Sequence, residues 1–126
     1  MRLILDSGAL IALERHDRAM WRRFKAAALA GVDVVTHGGV VGQAWRGHGP
    51  RQALLAKALP GIEVRPLDRK LGCTAGELQA ATHRADIVDA ALVGLAEDGD
   101  RIVTSDPRDL EPLAAATGRH LELIVV

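Results

Sequence analysis

Five short apolar segments, each separated from the next by helical periodicity, constrain this chain more than any other feature. They are Arg2–Asp6, Asp33–Thr36, Ile62–Arg65, Arg101–Thr104 and Leu121–Val126. Short strands that are apolar on both faces must be covered on both faces, and helices between successive strands allow them to run parallel. Between the first two lie a helix over Ser7–Leu13 and another from about Asp17 to Leu29, ended by Gly31. A short helix over Gly39–Trp45 and one over Pro50–Leu59, stopped by Pro60-Gly61, follow the second strand. Asp68 is placed to N-cap a helix reaching Thr82, and Asp86–Glu97 is a strongly apolar helix. Pro107 opens a last helix to about Ala116, at a position where its missing N–H costs little. The expectation is an α/β fold: a five-stranded, mainly parallel sheet with helices on both sides, residues 1–126 forming one domain.

Composition narrows the class. The 126 residues carry 16 basic and 16 acidic side chains, and 48% of the residues are apolar, as in a globular protein. No apolar run approaches the roughly 18 residues of a membrane span, and no charged-and-apolar leader is evident. The single cysteine, Cys73, excludes an internal disulfide and fits a reducing cytoplasm; in "LGCTAGEL" it reads as a small buried residue. The zero net charge hides an asymmetry. Residues 1–70 hold 12 Lys/Arg against 6 Asp/Glu, and residues 71–126 hold 4 against 10. Such a split is compatible with a polyanionic partner and equally with attraction between the halves.

In a parallel sheet, ligands bind beyond the carboxyl ends of the strands. Asp6 ends the first strand and Asp106 follows the fourth. Asp86 and Asp89, three residues apart, share one face of the helix leading into that strand, whose N-terminus favours anions. If the first and fourth strands are neighbours, all four carboxylates converge at one sheet edge. Clustered carboxylates repel, and protons or cations must neutralise them. Hard oxygen donors select Mg²⁺ or Mn²⁺, ions able to promote hydrolysis of a phosphodiester. Most of these aspartates also have a plain structural reading, Asp6, Asp86 and Asp106 as helix caps and Asp109 as a solvated first-turn acid, whereas Asp89 fits poorly as a surface residue of an apolar helix.

"LILDSGALIAL" and "DIVDAALVGLAEDGDRIVTSDPRDL" together resemble the PIN-domain family, and within it the small VapC-like ribonuclease toxins of type II toxin–antitoxin systems. The resemblance rests on Asp6 followed by Ser7, on Asp86 opening a helix, and on Thr104-Ser105-Asp106 with Asp109 shortly after. It covers nearly the whole chain in length and element order. It implies a three-layer α/β/α sandwich, Mg²⁺- or Mn²⁺-dependent cleavage of RNA, a homodimer, and a small antitoxin protein as partner. Asp6, Asp86, Asp89 and Asp106 are then the catalytic and metal-binding residues, with Ser7, Ser105 and Asp109 supporting them. One position departs from the pattern. Where the family has a Glu in the short helix after the second strand, this chain has Gln43, an uncharged weak ligand or water-positioning group. Asp89, where the family often has an apolar residue, is the candidate to restore the missing charge.

Arg46 and Arg51 flank "GHGP" just past Gln43 and are the candidate RNA contacts, through phosphates. Arg15, Arg18, Arg22, Arg23 and Lys25 read as a solvated helix face or a phosphate-binding one. The three aromatics, Trp21, Phe24 and Trp45, are too few for a base-stacking platform, and Trp21 and Phe24 read as core or interface. The five histidines show no zinc spacing with Cys73, and no Gly-rich phosphate loop is present. The alternative to a nuclease is a catalytically weakened PIN-fold module that binds RNA or a protein partner. A phosphatase or phosphoacceptor domain fits less well, because Gly8 stands where a second Asp would be needed and the last lysine is Lys70.

Overall fold

The central strand is β1 (Leu3–Leu5), buried along its whole length. In this computed structural model, which describes residues 1–83 and 85–126, β1 is flanked by β2 (Val34–His37) and β4 (Arg101–Thr104). β3 (Glu63–Arg65) and β5 (Glu122–Val125) form the edges, giving the order β3-β2-β1-β4-β5. Every pairing is parallel. The expected juxtaposition of the first and fourth strands is present, with Leu3, Ile4 and Leu5 opposite Arg101, Ile102 and Val103.

Two groups of helices cover the sheet. α1 (Ser7–Glu14) packs on α2 (Arg18–Leu29), α3 (Gly38–Ala44) and α4 (Ala53–Ala58). α5 (Arg69–Thr82), α6 (Ile87–Leu95) and α7 (Pro107–Thr117) pack on one another. The core between these layers includes Ile4, Leu5, Leu10, Leu13, Leu55, Leu92, Ile102, Leu110 and Leu113, all essentially inaccessible. Burying a side chain of this size contributes roughly 1.5–3 kcal/mol. α6 has two consecutive pairs, Ala90-Ala91 and Leu92-Val93, buried because α5, α7 and the sheet surround it. None of the described helices is long and apolar enough to cross a membrane.

The N-terminal end of the sheet is held by a nearly buried ion pair between Arg2 and Asp100. Arg2 Nη2 lies 2.8 Å from Asp100 Oδ2 and also donates to the Leu95 carbonyl at 3.0 Å, so one guanidinium joins β1, the entry to β4 and the end of α6.

Several expectations need correction. The segment Pro50–Leu59 is not one helix: α4 is bracketed by 3₁₀ turns at Pro50–Gln52 and Leu59–Gly61. Pro60 lacks the N–H that a continuing α-helix would need. β2 runs one residue further than the sequence indicated, to His37, whose partner across the ladder is Arg65. β3 is not apolar on both faces but an exposed edge. Cys73 is exposed on α5, not buried. Trp21 and Phe24 do pack against the core, in an edge-to-face pair with centroids 5.7 Å apart.

Candidate functional site

Register alone brings Asp6 level with Thr104. Leu5 pairs with Val103, so the next residue on each strand leaves the sheet at the same height, and the Asp6 N–H donates to the Val103 carbonyl at 3.2 Å. The Asp6 carboxylate N-caps α1, accepting the Ala9 N–H at 2.9 Å. It is 7% exposed. Burial pushes its carboxyl above the ordinary carboxylate range, and the Thr104 hydroxyl with the N–H groups of Ala9, Ser105 and Gly8 pulls it part of the way back.

Thr104 is fully buried, and its hydroxyl oxygen also accepts the Asp106 N–H at 2.9 Å. That bond turns the chain sharply after β4, so Asp106 stands at the mouth of the sheet before Pro107 begins α7. Asp106 makes no side-chain cap, which leaves its carboxylate oxygens uncommitted to the helix. Ser105 lies against Gly8, at the start of α1.

Asp86 caps α6, accepting from Val88 N at 2.7 Å and more weakly from Asp89 N at 3.3 Å. Asp89 follows one turn later and is half-buried. Burial first, then the charges of Asp86, Asp6, Asp109 and Asp106, push its carboxyl up to about 6. Asp89 therefore lies within electrostatic reach of every other carboxylate singled out in the sequence. Asp109, fully exposed on the first turn of α7, is raised by its neighbour Asp106. A cleft of about 290 Å³ opens beside this cluster, lined by Asp86, Asp89, Arg108, Asp109, Pro112 and Leu113.

The donor chemistry fits a hard divalent cation: several carboxylates, no soft ligand, and burial together with mutual repulsion that a cation would relieve. The geometry is open rather than closed. Among the described residues no three His, Cys, Asp or Glu side chains form a ready ligand group for one ion. Two of the carboxylates, Asp6 and Asp86, each spend one oxygen on a helix cap.

The remaining residues are placed less directly. Gln43 is exposed on α3. Arg46 turns back on that helix, its guanidinium donating to the carbonyls of Gly42 at 3.0 Å, Trp45 at 2.8 Å and Gln43 at 3.0 Å. It thus closes the C-terminus of α3, and neither it nor the exposed Arg51 lines the carboxylate cleft. The loop between them is tied down by buried Gln52, which accepts from Arg46 N at 2.6 Å and donates to Glu14 Oε1 at 2.9 Å. Ser7 opens α1 beside Asp6, half-buried.

The sequence alone assigns no role to Arg108 or His37, and it marks Thr104 only by its place in a motif: the two-sided bonding of Thr104 depends on the strand register. Among the described residues, Arg108 is the basic side chain that lines the cleft, and its place in "DPRDL" is its one signal in the sequence. His37, fully buried, accepts the Gly39 N–H at Nδ1 (3.1 Å) and so caps α3. Its Nε2–H then donates to the Val88 carbonyl at 2.9 Å. A larger cleft of about 610 Å³ lies at the other end of the sheet, between α2 and the start of β1 and β4, with Arg22, Arg23 and Arg101 around an alanine-rich floor. It is remote from the carboxylates.

No protein-family model matches the chain, and no curated protein matches it in sequence. Its fold is similar to a chain in the crystal structure of VapBC2 from Rickettsia felis bound to a DNA fragment from their promoter, with a TM-score of 0.74 over 98% of each chain at 13% identity. At that identity the likeness concerns backbone architecture. The five-stranded parallel sheet in the order β3-β2-β1-β4-β5, flanked by helices and matched over almost its full length, is a PIN-like fold.

Proposed function

We propose that this protein is a divalent-metal-dependent endoribonuclease of the toxin type. Asp6, Asp86, Asp89 and Asp106 would hold one or two Mg²⁺ or Mn²⁺ ions, with Asp109 beside them and Ser7, Ser105 and Gln43 in supporting places. The observation that carries the reading is the convergence of carboxylates beyond the paired ends of β1 and β4 and at the start of α6, where half-buried Asp89 lies beside Asp86, Asp6, Asp109 and Asp106. A structural aspartate gains nothing from such surroundings; a cation ligand does. When bound, the ion neutralises the cluster, activates water and offsets the charge that builds on a phosphodiester. The chain's own residues do the rest. Thr104 and the α1 N-terminus orient Asp6; the first turn of α6 presents Asp86 and Asp89 on one side; Arg108 offers a cation to a phosphate entering the cleft. Arg51, and Arg46 once released from the α3 carbonyls, would meet the RNA backbone outside it.

The likeness to VapBC2 supports a toxin-type role and, with it, a small antitoxin protein as partner. One pair of observations favours a second reading. Gln43 replaces the usual Glu, and the described carboxylates are not closed around a common point. Both fit a module that keeps the fold and a partner but cleaves weakly.

The deciding experiment is cleavage of a labelled single-stranded RNA pool with Mn²⁺ and with EDTA, comparing wild type with Asp6→Asn. Asn is as good an N-cap as Asp, so α1 keeps its start and the variant folds. Metal-dependent cleavage lost in the variant is the expected result. Wild type that binds Mn²⁺ but cuts nothing points to the weakened module.

A further inference from the structure

Between the two elements that carry Gln43 and the Asp86–Asp89 pair lies a buried imidazole with no role so far. His37 is 0% exposed and ends β2. Its two ring nitrogens face different elements. Nδ1 accepts from Gly39 N at the start of α3, which requires the ring proton to sit on Nε2, and Nε2–H donates to the Val88 carbonyl in the first turn of α6. Burial lowers its tendency to protonate, so the neutral ring keeps both bonds. The ring also occupies a slot with no spare room. A Cβ at Gly39 would stand 2.9 Å from His37 Cε1, 3.1 Å from Nδ1 and 3.5 Å from Val88 Cγ2.

Val88 lies between the two carboxylate positions, and its own N–H makes the shorter of the two bonds by which Asp86 caps α6. The bond to His37 therefore holds the very turn from which Asp86 and Asp89 project. The same ring starts the helix that bears Gln43. We infer that His37 is a positioning residue: one neutral imidazole that fixes α3 against the first turn of α6 and thereby sets the spacing of the cation ligands. The inference rests on the metal-site reading above. Groups contributed by separate elements bind an ion well only when those elements are registered to within about 0.5 Å. Polar partners behind metal ligands are typically worth 10–100-fold in affinity.

Calorimetric Mn²⁺ affinity of the purified chain, with melting temperature in the same buffer, tests this role without relying on turnover. His37→Asn keeps an acceptor for the Gly39 N–H but is too short for the Val88 carbonyl, so it separates the helix cap from the strap. Gly39→Ala displaces the ring without changing its chemistry and serves if His37→Asn fails to fold. Leu55→Val, a core change in α4, controls for lost stability. The expected result is Mn²⁺ binding about 10-fold weaker in His37→Asn and weakened in Gly39→Ala, with Leu55→Val at wild-type affinity. Wild-type affinity in His37→Asn, or an equal loss in Leu55→Val, overturns the role of His37 alone. A wild-type chain that binds no Mn²⁺ overturns the metal site and this role together.

Discussion

Gly8 and Ser105 approach so closely that one methyl group will not fit between them: a Cβ at Gly8 would overlap the Ser105 hydroxyl and stand 2.5 Å from its Cβ. This contact joins the first turn of α1 to the end of β4, and Asp6 and Asp106 lie on either side of it. Gly8→Ala is expected to force the two strand ends apart, at a cost of about 1–3 kcal/mol by urea denaturation. Mn²⁺ affinity should fall in parallel. An unchanged denaturation midpoint would mean that the ends separate freely and that the contact does not set the site.

Asp89 gives the protein a pH dependence of predictable sign. Its folded carboxyl titrates at about 6, above the ordinary 3.8. A raised folded value favours the protonated form in the native state, so this stabilisation is full below about 3.8 and lost as pH rises through about 6. Asp89→Asn should therefore be more stable than wild type at pH 8 in EDTA and similar to it near pH 4. Added Mn²⁺ should narrow the gap at pH 8. Melting curves that run parallel across this range would remove Asp89 from the cluster.

Gln43→Glu restores the charge that PIN-like chains usually carry on this helix. The position is exposed, so the substitution is expected to leave the melting temperature within a degree or two. If the side chain reaches the cation, Mn²⁺ binding tightens several-fold, as an added carboxylate should make it. Equal or weaker affinity by calorimetry would exclude position 43 as a ligand.

At the opposite end of the sheet, Asp100 is 2% exposed. Burial alone would raise its carboxyl, but the Glu97 N–H, the Arg2 guanidinium and the Arg2 N–H outweigh it and hold the group below the ordinary range. A depressed folded value means stabilisation present above the ordinary value and lost as pH falls through the folded one. Asp100→Asn leaves Arg2 nearly buried without its counter-charge and is expected to cost roughly 3 kcal/mol at pH 7. The penalty should shrink below about pH 4, and Mn²⁺ affinity should be unaffected. A variant that loses metal binding as well would show that the two ends of the sheet are coupled.

The element order was legible because each signal was local. Apolar runs of four residues, Asp68 before its helix, Pro107 at the first position of another and Gly31 after α2 all act within a few residues of themselves. β4 and α5 have the bounds that these signals indicate. The four-residue error within Pro50–Leu59 has a local cause too, in prolines that tighten a helix into 3₁₀ turns. The exposure of Cys73 and of β3 was not legible. Both depend on which face of an element a neighbour covers, and a small apolar residue looks the same either way.

The sequence by itself determined that carboxylates would stand at strand ends and at a helix start, since those positions follow from periodicity. It also determined the parallel sheet, because short strands apolar on both faces and separated by helices have few other ways to be covered. Only the tertiary structure decided which carboxylate is strained by the rest. Register placed Asp6 level with Thr104, and the packing of α6 turned Asp89 toward four other charges. Tertiary structure alone also gave His37 its two partners, one 2 and one 51 residues away. Electrostatic strain and buried hydrogen bonds depend on distances in space, and the linear chain does not encode these until the sheet has closed.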